Sequence, residues 1–404
     1  MFKTRLIMLA CLALAVLASC NSKEKARMPK QFTAEQLYNN LSVGAAGFSA
    51  DESKILVDNN ATGIYNVFEL NIADTTYKPL THSKKESFFA VDYLPGSSKY
   101  IYSADQGGNE NSHLYLANQA DTLVRDLTPW PNSANSFAGW SADKKAMYVT
   151  SNQRDPKFFD IWKLDTLTWK PTLLYQNNEG LDPAGVSKSE RYIALVKSIT
   201  TDKNELYLYD QKTKTSKRLS NDNEATWNPA GFEKNDSIMY YTTNDGSEFS
   251  YLVKYHINSG KAEKIFEDKW DVAGMSLSEN EKYHTIFVNE DGKNKILLFD
   301  HATGKTVSLP EIKDGDVLGV TISPSEKKLL LTVGSSTSPA NLYLYEIENK
   351  TLKQLTSTLN PEVDRNDLVQ AEVVRFKSFD GLEIPAIYYK PLQADKKNKV
   401  GALV

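Results

Sequence analysis

The chain has 404 residues, 51 acidic against 47 basic side chains, a net charge of −4, two cysteines and five histidines. At 41% hydrophobic and 24% charged it has the composition of a folded protein, which excludes wholesale disorder. The slight acidity argues against a nucleic-acid binder, which needs a basic face to replace counterions on phosphate. Length leaves room for two or three domains, and 21 Tyr, 16 Phe and 6 Trp lean toward β-structure.

The N-terminus reads as a processing signal. Lys3 and Arg5 precede an unbroken apolar run over residues 6–17. That run is shorter than the roughly 20 residues of a membrane-spanning helix and fits the apolar segment of a signal peptide over residues 1–19. It ends in Leu17-Ala18-Ser19-Cys20, which resembles a bacterial lipobox and makes Cys20 the expected lipidation site. The alternative is an ordinary signal peptide with an incidental cysteine. In the lipid-anchored reading the protein is exported to the bacterial cell envelope, and the membrane is a partner through the anchor. Residues 20–46 are then a lipidated polar tether and a short helix, started by the capping-box pair Thr33 and Gln36. Cys11 falls in the removed segment, so a mature domain has no free thiol for disulfides, thiolate catalysis or Cys-ligated zinc. Loss of Lys3 and Arg5 takes the charge from −4 to −6.

A repeat governs the next stretch. Gly47-Phe-Ser-Ala-Asp-Glu-Ser-Lys54, Gly139-Trp-Ser-Ala-Asp-Lys-Lys145 and Gly185-Val-Ser-Lys-Ser-Glu-Arg191 look alike, as do 231–237 and 321–327. The anchors are read at Ser49, Leu94, Ser141, Ser187, Phe232, Leu277 and Ser323, with a period near 46. About twenty residues after each comes an apolar strand, with matching positions Val67, Leu114, Ile161, Leu206, Leu252, Ile296 and Leu342. Polar turns and Asp-Gly or Ser-Gly pairs separate short β-rich runs, so each copy holds four strands. Four strands per repeat of this length is a β-propeller blade. The expected fold is all-β: a seven-bladed propeller over 47–364, with eight blades if a terminal segment contributes strands.

After Asp364 the repeat stops. Residues 372–391 read as a hairpin around Asp380-Gly381, closed by Pro391. The lysine-rich loop 396–399 and the apolar 400–404 follow. A hairpin with one added strand needs a covering layer, so 369–404 reads as the truncated start of a second domain.

Seven blades followed by Lys377-Ser-Phe-Asp-Gly-Leu-Glu-Ile-Pro-Ala386 and Tyr389-Lys-Pro391 resemble the prolyl oligopeptidase family of serine peptidases. The stretches 42–51 and 62–68 also resemble its exported bacterial members. The resemblance implies a propeller ahead of an α/β-hydrolase domain, with the hairpin opening the latter. It further implies a propeller that filters and positions short peptides for a dipeptidyl, acylaminoacyl or oligopeptidase activity. The alternative is a non-enzymatic propeller lipoprotein that binds or scaffolds in the envelope.

No catalytic residue carries over from the family. The nucleophile elbow Gly-x-Ser-x-Gly does not occur; the sequences at Ser49, Ser141 and Ser187 each fail at the last position and belong to blade turns. The family's dipeptidyl branch holds a substrate amine with paired glutamates, and no Glu-Glu pair is present. His82, His113, His256, His284 and His301 are read as scattered over different blades, without metal-ligand spacing, and no Gly-rich phosphate loop occurs, so neither metal nor cofactor is expected. Arg154, within Ser151–Asp160, could hold a peptide carbonyl or carboxylate through its rigid fork of donors. The favoured reading is an Arg–Asp pair bracing an inter-strand loop.

Overall fold

The computed structural model describes residues 29–120, 123–312 and 315–403, so Cys20 and the signal-peptide reading lie outside the described residues. The described residues divide into two compact units, 39–360 and 29–38 together with 361–403.

The larger unit holds seven four-stranded antiparallel sheets, each built from four consecutive strands. Blade one comprises β1 (Val43–Phe48), β2 (Lys54–Asn59), β3 (Asn66–Asn71) and β4 (Tyr77–Pro79). The other six span 89–126, 135–175, 182–218, 227–266, 271–307 and 316–354. First strands of blades one and two, four and five, and five and six approach one another, while fourth strands are the more exposed, Thr351–Gln354 throughout, so each sheet runs from the ring's centre to its rim.

The repeat is visible in the sequence because five of the seven blades use the same local chemistry. In blade one the Ser49 hydroxyl donates to Asp51 (2.6 Å) and accepts the Lys54 N–H (3.0 Å), while Ser49 N–H donates to the Lys54 carbonyl (2.9 Å). Ser141, Ser187, Ser278 and Ser323 receive the corresponding N–H from Ala146, Tyr192, Tyr283 and Lys328. Ser-x-Asp turns of this kind satisfy backbone groups that a tight reversal would otherwise orphan. Backbone pairing places the anchors of blades five and six at Glu233 and Ser278, one residue beyond the expected Phe232 and Leu277. Blades two and five lack the serine, with Leu94 and Glu233 in its place, and Leu277 is the last residue of its strand, not of the turn.

The outer turns explain the recurring Leu-Thr pairs. Thr81 and Thr356 accept the N–H of Val67 and Leu342 and donate to Asn66 (2.9 Å) and Asn341 (3.0 Å). Thr128 and Ser220 do the same for Leu114 and Leu206.

Alternation along the strands decides what each blade buries. Ile55 and Val57 face blade seven, where they meet Leu330, Leu342 and Leu344; Leu56, between them, faces Tyr93, Tyr100 and Tyr102 of blade two. The same logic yields seven buried clusters among the described residues, one at each blade–blade interface. Blades one and seven share no strand. Their junction is closed by the apolar cluster, by Glu52 accepting from Ser325, and by Lys353 donating to the Ile72 (2.7 Å) and Ala73 (2.6 Å) carbonyls.

Every first strand carries a β-bulge, immediately before Gly47, Gly139, Gly185, Gly231, Gly274, Gly319 and, in blade two, Asp92. A bulge bends its strand and raises the local twist, which suits strands converging on an axis. Gly139 and Gly231 reach φ of +109° and +129°, which a side chain rarely tolerates.

In the smaller unit, α1 (Ala34–Tyr38) is capped reciprocally: Thr33 N–H donates to Gln36 Oε1 and Gln36 N–H to Thr33 Oγ1, both at 3.1 Å. The hairpin pairs Glu372–Lys377 with Glu383–Tyr388 and turns through Ser378–Leu382, with Gly381 at φ +88°. Phe376, Ile387 and Tyr389 are each more than half exposed on it.

Candidate functional site

The channel through the ring has two ends, distinguished by topology. With four antiparallel strands per blade, the chain reaches blade one and leaves blade seven at one end, called proximal here. The turns between first and second strands all lie at the other, distal end.

Arg154 belongs to the proximal loops. Its Nε and Nη2 donate to Asp160 Oδ2 (2.8 Å) and Oδ1 (3.0 Å), and Nη2 also donates to the Asn177 carbonyl. Asp160 is fully buried and takes the Asn177 N–H as well (2.8 Å). The side-chain hydrogen bond to Asp160 raises the Arg154 pKa. Arg154 is thus the brace of an inter-strand loop, tying blade three to the connection into blade four, with its Nε and Nη2 donors engaged by the protein itself.

His113 Nδ1 lies 2.8 Å from Asp126. His284 and His301 share blade six, contrary to the scattered arrangement expected from sequence, with Nδ1 atoms 3.2 Å apart. Antiparallel pairing sets His284 opposite Phe299, and the turn after Asp300 carries His301 back beside it. Among the described residues, no group of three or more His, Cys, Asp or Glu could hold a metal ion.

The distal end brings charged side chains of several blades together. One residue beyond each turn anchor stand Ala50, Pro95, Ala142, Lys188, Lys234, Glu279 and Pro324. They line two cavities. One, of about 420 Å³, is bounded by Ala142, Lys144, Lys188, Ser189, Lys234, Glu279 and Asn280. The other, of about 280 Å³, includes Ala50, Asp92, Pro95, Trp140, Lys144, Glu279 and Pro324. Lys144 Nζ sits 2.8 Å from Glu279 Oε1. These residues come from blades three and six, as far apart as a ring of seven allows, so their ion pair crosses the channel axis.

A relay of acidic turn residues frames this mouth. Glu52 of blade one accepts the Ser325 N–H (2.6 Å) and hydroxyl (2.8 Å) of blade seven. Glu326 accepts the Asn280 N–H of blade six (2.8 Å), and Glu281 the Lys234 N–H of blade five. Asp236 accepts the Ser187 (3.0 Å) and Ser189 hydroxyls of blade four; Glu190 accepts the Tyr148 hydroxyl of blade three (2.7 Å). Blade three has Lys144 at the equivalent turn position and blade two has Ser97, so the relay stops there. Lys144 instead reaches across to Glu279. Asp92, in the gap, accepts from Trp140 Nε1 (2.8 Å), and burial raises its carboxyl pKa. Burial, then the neighbouring Lys144 cation, lowers the Lys188 pKa. Sequence reasoning did not single out these mouth residues, although the repeat alignment, read one position past each anchor, contains them.

The ring has counterparts among known proteins. The sequence model of the prolyl oligopeptidase N-terminal beta-propeller domain matches residues 80–358, and the chain belongs to that family. It is 24% identical over 305 residues to dipeptidyl aminopeptidase BIII of Pseudoxanthomonas mexicana, covering 74% of this chain and 44% of that protein. It is 19% identical over 383 residues to dipeptidyl peptidase family member 6 of Caenorhabditis elegans, covering 89% of this chain and 51% of that one. The chain spans about half the length of the curated relatives it matches. Among solved structures, a puromycin-hydrolyzing peptidase of Mycobacterium tuberculosis aligns with a TM-score of 0.71 at 11% identity, over 91% of this chain and 61% of that one. Prolyl oligopeptidase B of Galerina marginata aligns at 0.64 and 16%, over 87% and 56%. These likenesses show the fold.

Proposed function

We propose that this propeller is the substrate-admitting ring of an exported, lipid-anchored serine peptidase acting on short peptides. The observation that carries the reading is the pairing of a family-matched ring with the 372–388 hairpin, whose apolar side chains are exposed in the manner of a sheet awaiting cover. The serine, histidine and aspartate of the triad then come from an α/β-hydrolase domain that these 404 residues do not contain. A ring built of seven interlocked interfaces admits an extended peptide and refuses a folded protein. Export and anchoring through Cys20 are supported by the charged start, the apolar run and Leu17-Ala18-Ser19-Cys20.

The coding sequence downstream of codon 404 tests the enzymatic reading. An open frame encoding a His-Gly-Gly-type loop and Gly-x-Ser-x-Gly supports it; a stop with no such sequence beyond it favours a non-enzymatic envelope module. Labelled palmitate retained by the expressed protein and lost in Cys20→Ala supports the anchor, and an unlabelled wild-type protein overturns it.

A further inference from the structure

The distal mouth is unevenly charged. Blades seven, one, two and three contribute Pro324, Ala50, Pro95 and Ala142, an apolar arc. Blades four and five contribute Lys188 and Lys234, and blade six contributes Glu279. Glu279 is engaged by Lys144 at 2.8 Å. Lys234 Nζ reaches only the Asn280 amide oxygen, at 3.3 Å, while Glu281 is occupied by the Lys234 backbone N–H. Lys188 has no hydrogen-bond or ion-pair partner among the described residues. Two ammonium groups on neighbouring blades therefore face a cavity of about 420 Å³ with no carboxylate of the described residues in hydrogen-bond or ion-pair contact with either, although Glu279 and Glu281 lie near enough to act on Lys188. Beside it, across the Lys144–Glu279 bridge, lies the smaller cavity, walled by Pro95, Trp140 and Pro324.

We propose that the distal mouth is a binding site for the carboxylate end of a short peptide. The carboxylate sits between Lys188 and Lys234, and an apolar terminal side chain lies against Pro95, Pro324 and Trp140. Ammonium–carboxylate hydrogen bonds are charge-assisted, and within the mouth they are screened less than on an open surface. An inorganic anion would use the lysines and leave the apolar arc unfilled; a ligand with a charged end and an apolar side chain uses both. Glu279 is a built-in competitor: its carboxylate engages Lys144, the third cation on the cavity wall. The proposal rests on the peptide reading above for its class of ligand and locates a carboxylate-reading port at the end of the channel opposite the chain's two crossings.

The test is calorimetric titration of the purified chain with Ac-Ala-Ala-Ala-Leu-OH, its C-terminal amide, and Ac-Ala-Glu-Ala-Leu-NH2. The free acid should bind about tenfold or more tightly than the plain amide. The Lys188→Ala/Lys234→Ala double variant should lose that preference, Lys188→Arg should keep it, and Glu279→Gln should tighten binding a few-fold by releasing Lys144. Comparable binding of the glutamate peptide supports the site and makes acidic side chains a second source of the same group. Equal affinity for acid and amide, no measurable binding, or a double variant that retains the preference while melting like the wild type would each overturn the proposal. No turnover enters the assay, so its failure leaves the peptidase reading standing, and the reverse also holds.

Discussion

Arg154 and His284 are the side chains whose environments make the sharpest claims. Arg154 neutralises an Asp160 carboxylate with no solvent access, so Arg154→Ala leaves a buried charge held only by an amide N–H. Losing one partner of such a pair costs roughly 3 kcal/mol, and denaturant unfolding of the variant should show a loss of that order. His284 is pressed by burial, and then by the adjacent His301, from an ordinary pKa of 6.5 down to about 4. Below pH 6.5 the unfolded chain takes up a proton that the folded state refuses. Stability is therefore lost as pH falls from about 6.5 to about 4, by on the order of 2–3 kcal/mol, and the loss levels off below that. In His284→Gln the pH dependence of the unfolding midpoint across this window should flatten. An unchanged slope would show that His284 titrates normally.

At the scale of strands and turns, much was legible because most blades solve the same problem with the same residues. Serine-anchored turns recur at or near multiples of 46 residues in five of the seven blades because each first–second turn must satisfy the same backbone groups, and the hydroxyl of Ser49, Ser141 or Ser187 does so. In blade five Glu233 replaces that serine and in blade six the flanking residues diverge, and there the expected anchors slip by one residue. The distal mouth was not legible for the opposite reason. Its residues are what differ between repeats, and Lys144 and Glu279 become neighbours only when seven blades close around an axis. The histidine pair was missed because the turn that brings His301 back to His284 leaves no spacing motif. The inner-strand bulge makes its own prediction. A Cβ on Gly47 would stand 2.7 Å from Asp92 Oδ1. Gly47→Ala should destabilise by about 1–3 kcal/mol, and in an Asp92→Ala background that cost should largely vanish, a coupling readable in a double-mutant cycle.

For the whole ring, the question is how blades one and seven stay joined without sharing a strand. The apolar cluster of Phe48, Ile55, Leu330 and Leu342 supplies the area, and Glu52 supplies a buried, charge-assisted clasp on Ser325. Glu52→Ala should lower stability by about 2 kcal/mol and accelerate amide exchange in the facing strands of blades one and seven before those of blade four. Uniform acceleration around the ring would mean that the junction is no weaker than the other interfaces. The same closure underlies the proposed function, since a ring that stays shut is what makes a channel selective. The most direct measurement is hydrolysis of aminoacyl and prolyl chromogenic substrates by the 404-residue chain, alone and extended by its downstream coding sequence. The account predicts no turnover by the chain alone and turnover sensitive to a serine-directed inhibitor in the extended protein. Inhibitor-sensitive turnover by the 404 residues themselves, or an extended protein without peptidase activity, would contradict it.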